Sequence, residues 1–140
     1  MKTPVVLSIR GRQSYLDQEP EVIELVTEGV LEQKNGIWDL SYEESDLTGL
    51  QGVTTTFQIA PGKIVLTRTG RLQSQMVFQE GVSHDSLYQM EFGALMISVR
   101  ADRVMADICH DGGVIDLIYN IEIENSAAGT VDYHLDIRAK

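Results

Sequence analysis

The sequence predicts an all-β protein: a single antiparallel meander of about eight to ten strands, closed into a barrel. Three observations carry this. From Gly52 to Phe92 apolar residues recur at every second position, as in Val53, Phe57 and Ile59 and then Ile64 and Leu66. Residues two apart share a face of a strand, so each segment offers one face to a core and the other to water. Turn residues separate the segments at Pro61-Gly62, Gly70, Gly81 and Gly93, leaving links too short for crossover helices. Two sandwiched sheets would bury the same faces, but a meander with such short turns closes most readily into a barrel, which removes exposed edges.

Val5 to Gln13 reads as the first strand, with Leu7 and Ile9 sharing a face, and Asp17, Glu19 and Pro20 mark a polar connection. In Glu21 to Lys34, Ile23, Leu25 and Thr27 alternate with polar or outward residues, whereas Glu24, Glu28 and Glu32 recur at helical spacing. A strand bent at Gly29 is the favoured reading, and one helical turn over a barrel mouth is the alternative. Asn35-Gly36 is the strongest hairpin signal, since both positions tolerate positive φ. Trp38, Leu40 and Tyr42 then share a face, and Asp46 to Gly49 turns the chain into the middle strands. These continue through Gln75–Gln79 and Leu87–Phe92, separated by Gly81 and Asp85. Leu95, Ile97 and Val99 point inward, Asp102 and Arg103 interrupt, and Val104, Ala106 and Ile108 resume. After Asp111-Gly112-Gly113 comes the longest alternation, from Ile115 to Ile123. Asn125 to Gly129 turns, and Val131, Tyr133, Leu135 and Ile137 form the last strand.

The 140 residues suit one domain spanning 1–140, with 43% apolar and 23% charged residues, as in ordinary globular chains. No window approaches eighteen consecutive apolar residues, which excludes a helical membrane span. The apolar run near Val5 is too short for a signal peptide, so a cytoplasmic location is the default expectation. A net charge of −10 repels phosphate backbones, and no cluster of basic residues with interleaved aromatics exists, so nucleic acid is not an expected partner. Cys109 alone cannot form an internal disulfide. No glycine-rich phosphate-binding motif, serine elbow or calcium loop is present, and His84, Cys109, His110 and His134 lack metal-ligand spacing. No cofactor, metal or catalytic residue is therefore assigned.

Four polar residues stand out as candidates for ligand binding: Arg68, Tyr42, Tyr88 and His84. If Leu66 faces inward, Arg68 does too, and an inward guanidinium requires a carboxylate, hydroxyls, water or an anionic ligand. Glu43, Glu44 and Glu80 are the candidate internal partners, and a ligand carboxylate or phosphate would suit the same planar group. His84, in the loop reading of residues 80–86, either ties a turn or acts as a base held by Asp85. Met76, Met90, Met96 and Met105 serve as core or as an adaptable cavity lining.

Several short motifs resemble a small bacterial family of uncharacterised proteins, the YwiB-like or DUF1934 family. They are Tyr42-Glu43, Gly52 with Thr54-Thr55, Leu66-x-Arg68-x-Gly70, and Phe78, Gly81 and His84. Tyr88, Phe92 and Gly93 fit a later motif, while Met90 and Glu91 depart from its threonine-proline pair; Gly112-Gly113, Tyr119 and the strand ending at Lys140 fit again. The resemblance implies a calycin-like (lipocalin-like) barrel and a bacterial cytoplasmic setting, and it implies no reaction. The reading is then a non-enzymatic barrel holding a small, partly apolar or anionic molecule in or at its mouth. A structural or regulatory protein-interaction module with a side-chain-filled barrel is the alternative, and an unrecognised hydrolase comes third. A symmetric homodimer is compatible with the chain, as such assemblies are common.

Overall fold

The structure, a computed structural model, describes residues 2–14, 19–45, 50–90 and 92–140. Among these it has ten strands: β1 (Lys2–Ser14), β2 (Glu21–Lys34), β3 (Ile37–Glu43), β4 (Val53–Ala60), β5 (Lys63–Gly70), β6 (Ser74–Phe78), β7 (Ser83–Met90), β8 (Gly93–Cys109), β9 (Gly112–Ile123) and β10 (Ser126–Ala139). They form one antiparallel sheet in the order β6-β5-β4-β3-β2-β1-β10-β9-β8-β7. Every neighbour but one is a sequence neighbour. The exception is β1 with β10, paired from Val5↔Ala139 to Ser14↔Thr130.

The two sheet edges, β6 and β7, come together and nearly close the barrel. Gln73 and Gln89 exchange both backbone hydrogen bonds (2.8 and 2.7 Å), and across the connecting turn Val82 N–H donates to Gln79 O at 3.1 Å. Gly81 N–H also reaches Ala101 O on β8 at 2.9 Å. Isolated pairs therefore make this seam, where all other neighbours share a continuous ladder.

Alternation places Val5, Leu7 and Ile9 of β1, Phe57 of β4, Phe78 of β6, Ile115 and Leu117 of β9 and Leu135 and Ile137 of β10 in one interior core. The Asn35-Gly36 hairpin has φ of 52° and 80°, the paired positive angles of a tight turn whose twist matches its strands.

As favoured from the sequence, β2 is one strand of 14 residues, without a helical turn. Three expectations change in detail. Asp102 and Arg103 do not break β8: a register shift between Ala101 and Arg103 absorbs an extra residue, and pairing with β9 continues. Asp85 lies within β7, accepting a hydrogen bond from Ser98 Oγ (2.5 Å), because the connection from β6 is confined to the turn around Gly81. The last turn is shorter than expected, made by Glu124 and Asn125 at φ 52° and 66°, and pairing resumes at Ser126. Of the methionines, Met76 is buried while Met96 is 42% exposed on the outer face. Asp17, the Asp46–Gly49 turn, Glu91 and the Met90 side chain lie outside the described residues.

Candidate functional site

Register builds this site. Tyr42 of β3 lies opposite Thr55 of β4, Thr55 opposite Arg68 of β5, and Arg68 opposite Ser74 of β6. The Gln73–Gln89 bridge continues the row from Ser74 to Tyr88 on β7. Each of the five occupies an inward parity position, so five adjacent strands carry polar side chains at one level of an otherwise apolar interior.

These groups are deeply placed. Thr55 is 0% exposed and Ser74 6%, and the Arg68 and Glu44 side chains are 18% and 2% exposed. A charge so far from water costs several kcal/mol unless it is compensated. Glu44, just past the end of β3, supplies the compensation: its Oε2 stands 3.8 Å from Arg68 Nε and accepts a 2.5 Å hydrogen bond from Thr55 Oγ1. At 3.8 Å the ion pair is electrostatic and not a hydrogen bond. Among the described residues, Arg68 Nε and Ser74 Oγ have no hydrogen-bond partner although both atoms are buried.

Two tyrosines complete the polar end, and a glycine makes room for each. Gly29 of β2 lies opposite Tyr42, where an added Cβ would come within 2.6 Å of Ser41 O and 3.3 Å of Tyr42 Cβ. Gly11 of β1 lies opposite Tyr133 of β10, whose ring packs 3.5 Å from the same kind of empty position. The two rings extend across the interior, and their hydroxyls meet at 3.2 Å. Burial pushes both phenols above their ordinary range, so they remain neutral.

Two cavities adjoin this row and share Arg68, Gln13, Tyr119 and Val131. The smaller, about 170 Å³, lies against Tyr42, Glu44, Leu50 and Tyr133. The other, about 230 Å³, is more apolar and lies against Met76, Tyr88, Leu95 and Ile97. A larger cavity of about 450 Å³ occurs between Trp38, Ile59, Pro61 and the Val104–Ile108 part of β8. It is four residues along the strands from the Tyr42–Ser74 row and lacks those convergent polar groups, so the Arg68 end is the stronger candidate despite its smaller volume.

The structure thus gathers Arg68, Tyr42 and Tyr88 and leaves His84 apart. His84 is in β7, not in a loop, and shares Tyr88's face four residues away, roughly 13 Å along an extended strand. Its Nε2–H donates to Gln79 Oε1 at 3.2 Å across the β6–β7 turn. Asp85 points to the other face, toward Ser98, and does not orient the imidazole. His134 is on the outside of β10, between Asp116 and Asp136. Cys109 is exposed, and the His110 ring packs edge-on to Trp38 with centroids 5.2 Å apart. Among the described residues, no three histidine, cysteine or acidic groups gather in a metal-binding arrangement.

Sequence reasoning missed Ser74 and Tyr133 as site residues. Their signal was parity: Ser74 is two residues before inward Met76, and Tyr133 two after inward Val131. Glu44 was among the proposed partners of Arg68, and the structure selects it over Glu43, which binds Thr54, and Glu80, which accepts from Val104 N–H.

No helix of the described residues is long and apolar enough to cross a membrane. The comparison with curated proteins returned no match. Among solved structures, the crystal structure of the ywiB protein from Bacillus subtilis is similar, with a TM-score of 0.89 at 24% identity over 99% of this chain and 93% of that one. At that identity the likeness supports the fold alone. The model of a domain of unknown function, DUF1934, matches residues 7–137. Matched over nearly its whole length, the chain belongs to the DUF1934 family.

Proposed function

We propose that the protein binds a small, partly apolar molecule at the Arg68 end of the barrel, in a cytoplasmic setting, and that it does so without catalysing a reaction. The supporting observation is the coincidence of an inward, incompletely hydrogen-bonded Arg68 with two adjoining cavities. Small-molecule sites are concave and mostly apolar, with a few convergent polar groups. The Tyr42–Tyr88 row supplies those groups, and Leu95, Ile97 and Ile121 supply apolar walls. The likeness to calycin barrels, which hold apolar ligands inside, agrees with this reading by analogy of fold.

The test is to purify the protein without refolding, record its intact mass under native conditions and identify what denaturation releases. The expected result is a released small molecule retained by the wild type and lost from Arg68→Met. A barrel shown by high-resolution crystallography to be filled by its own side chains, with no bound species, overturns the proposal.

A second reading, a protein-interaction module or homodimer, has its own supporting observation. Val22, Val26 and Val30 are 52%, 68% and 37% exposed on the outer face of β2, and Leu87 and Met96 are exposed cross-strand neighbours on β7 and β8. Sedimentation of the wild type beside Val26→Lys separates this reading from the first: a dimer that dissociates in the variant supports it.

A further inference from the structure

We infer that the larger lobe of this site is specific for a monoanionic oxyacid, a carboxylate on an apolar chain or ring, and that Arg68 and Ser74 bind its oxygens. The inference rests on the ligand-binding reading above and assigns the chemical class of the ligand.

Three observations on neighbouring strands converge. Arg68 and Ser74 are direct cross-strand partners, and each has a buried polar atom with no hydrogen-bond partner among the described residues. Ser74 is 6% exposed, so its hydroxyl is largely withdrawn from bulk solvent. An unmet buried hydroxyl is destabilising, and a ligand acceptor would remove that cost. Guanidinium N–H and serine O–H are both donors, and a carboxylate has two oxygens to receive them.

Charge then selects the lobe. The smaller cavity is lined by Glu44, whose carboxylate repels a second anion. The larger one has Arg68 on its wall without Glu44, and beyond Arg68 it offers Met76, Leu95, Ile97, Ile121 and Val131. Ser74 stands between Arg68 and Tyr88, both of which line this lobe. An anionic head therefore approaches Arg68 from the β6–β7 side, with its apolar body directed along β8 and β9. At about 230 Å³ the lobe suits a short chain or a single ring.

The experiment titrates octanoate and its neutral analogue octanamide into the full chain, followed by calorimetry and by amide chemical shifts. Ser74→Ala serves as the variant, since it removes one unpartnered oxygen from a small buried side chain and leaves the ion pair in place. The expected result is octanoate binding at least tenfold tighter than octanamide, with shifts centred on Arg68, Tyr88 and Ile97. Ser74→Ala then weakens octanoate roughly five- to tenfold, weakens octanamide by less and does not lower the unfolding midpoint. Equal binding of the two probes overturns the oxyacid assignment while leaving the ligand site standing. Octanoate shifts centred on Leu50 and Tyr133 overturn the choice of lobe. Binding of neither probe at millimolar concentration, together with an empty natively purified protein, removes the assignment and the ligand-binding reading alike.

Discussion

The two walls of the barrel obey the same alternation and use it for different ends. On β1, β9 and β10 the inward positions include Val5, Leu7, Ile9, Ile115, Leu117, Leu135 and Ile137, all nearly or wholly buried and all aliphatic. On β3 to β7 the same parity includes Tyr42, Thr55, Arg68, Ser74 and Tyr88 at one level. Aliphatic burial stabilises by about 25 cal/mol per Å² of apolar surface removed from water. The polar wall forgoes part of that gain and adds the desolvation of two charges. A β-barrel can hold its shape on one wall and carry a costly polar row on the other, and that division marks the polar wall as the place to seek function.

Four substitutions or conditions would sharpen or break this contrast, from the largest effect to the smallest. Leu117→Ala, in the aliphatic wall, is expected to lower unfolding free energy by about 4 kcal/mol through lost transfer energy and a residual cavity, as read by denaturant titration. A loss under 1 kcal/mol would show that this wall is not the supporting one. Glu44→Gln is expected to cost roughly 3 kcal/mol, because it leaves Arg68 without its counter-charge. The double variant Glu44→Leu/Arg68→Met should recover part of that loss, and a double variant less stable than Glu44→Gln alone would contradict the account. Tyr133→Phe removes the hydroxyl 3.2 Å from Tyr42 and is expected to cost about 1 kcal/mol.

The smallest effect lies outside the barrel. Asp116 and then Asp136 raise the His134 pKa above its ordinary value, Asp116 chiefly through a hydrogen bond, and Arg103 stands 3.8 Å from the same aspartate. A raised folded-state value means that the contribution is complete below the unfolded value near 6.5 and fades as pH rises through the folded one. Unfolding midpoints measured at successive pH values should therefore show a slight decline above neutrality, absent in His134→Gln. The effect is small because the His134 side chain is 36% exposed and screened by solvent.

Much of the fold was legible because period-two alternation is a local signal. It located the strands, their inward faces and the inward turn of Arg68 from Leu66 alone. It also suggested a break at Asp102-Arg103, since charged residues at that point look like a turn; the β9 ladder carries the strand through by means of a bulge, which local sequence does not encode. The site was less legible. Arg68, Tyr42 and Tyr88 were identified singly, but their meeting depends on registers between separate strands. His84 shared their chemistry and even Tyr88's face, yet its place along β7 put it at another level. Ser74 resembles any turn-flanking serine until the Arg68 pairing is known.

The pairing of β1 with β10 has a kinetic consequence. Every other ladder joins consecutive strands and can form soon after its turn does, whereas this one joins residues that are more than a hundred positions apart. Loop-closure entropy makes such contacts late and slow. Two hairpin-built half-sheets, β1 to β6 and β7 to β10, are thus expected to assemble first and to dock along β1 and β10 in the rate-limiting step. Until then β1 and β10 are additional edge strands open to intermolecular pairing, so docking removes a hazard of aggregation that falls on the aliphatic wall.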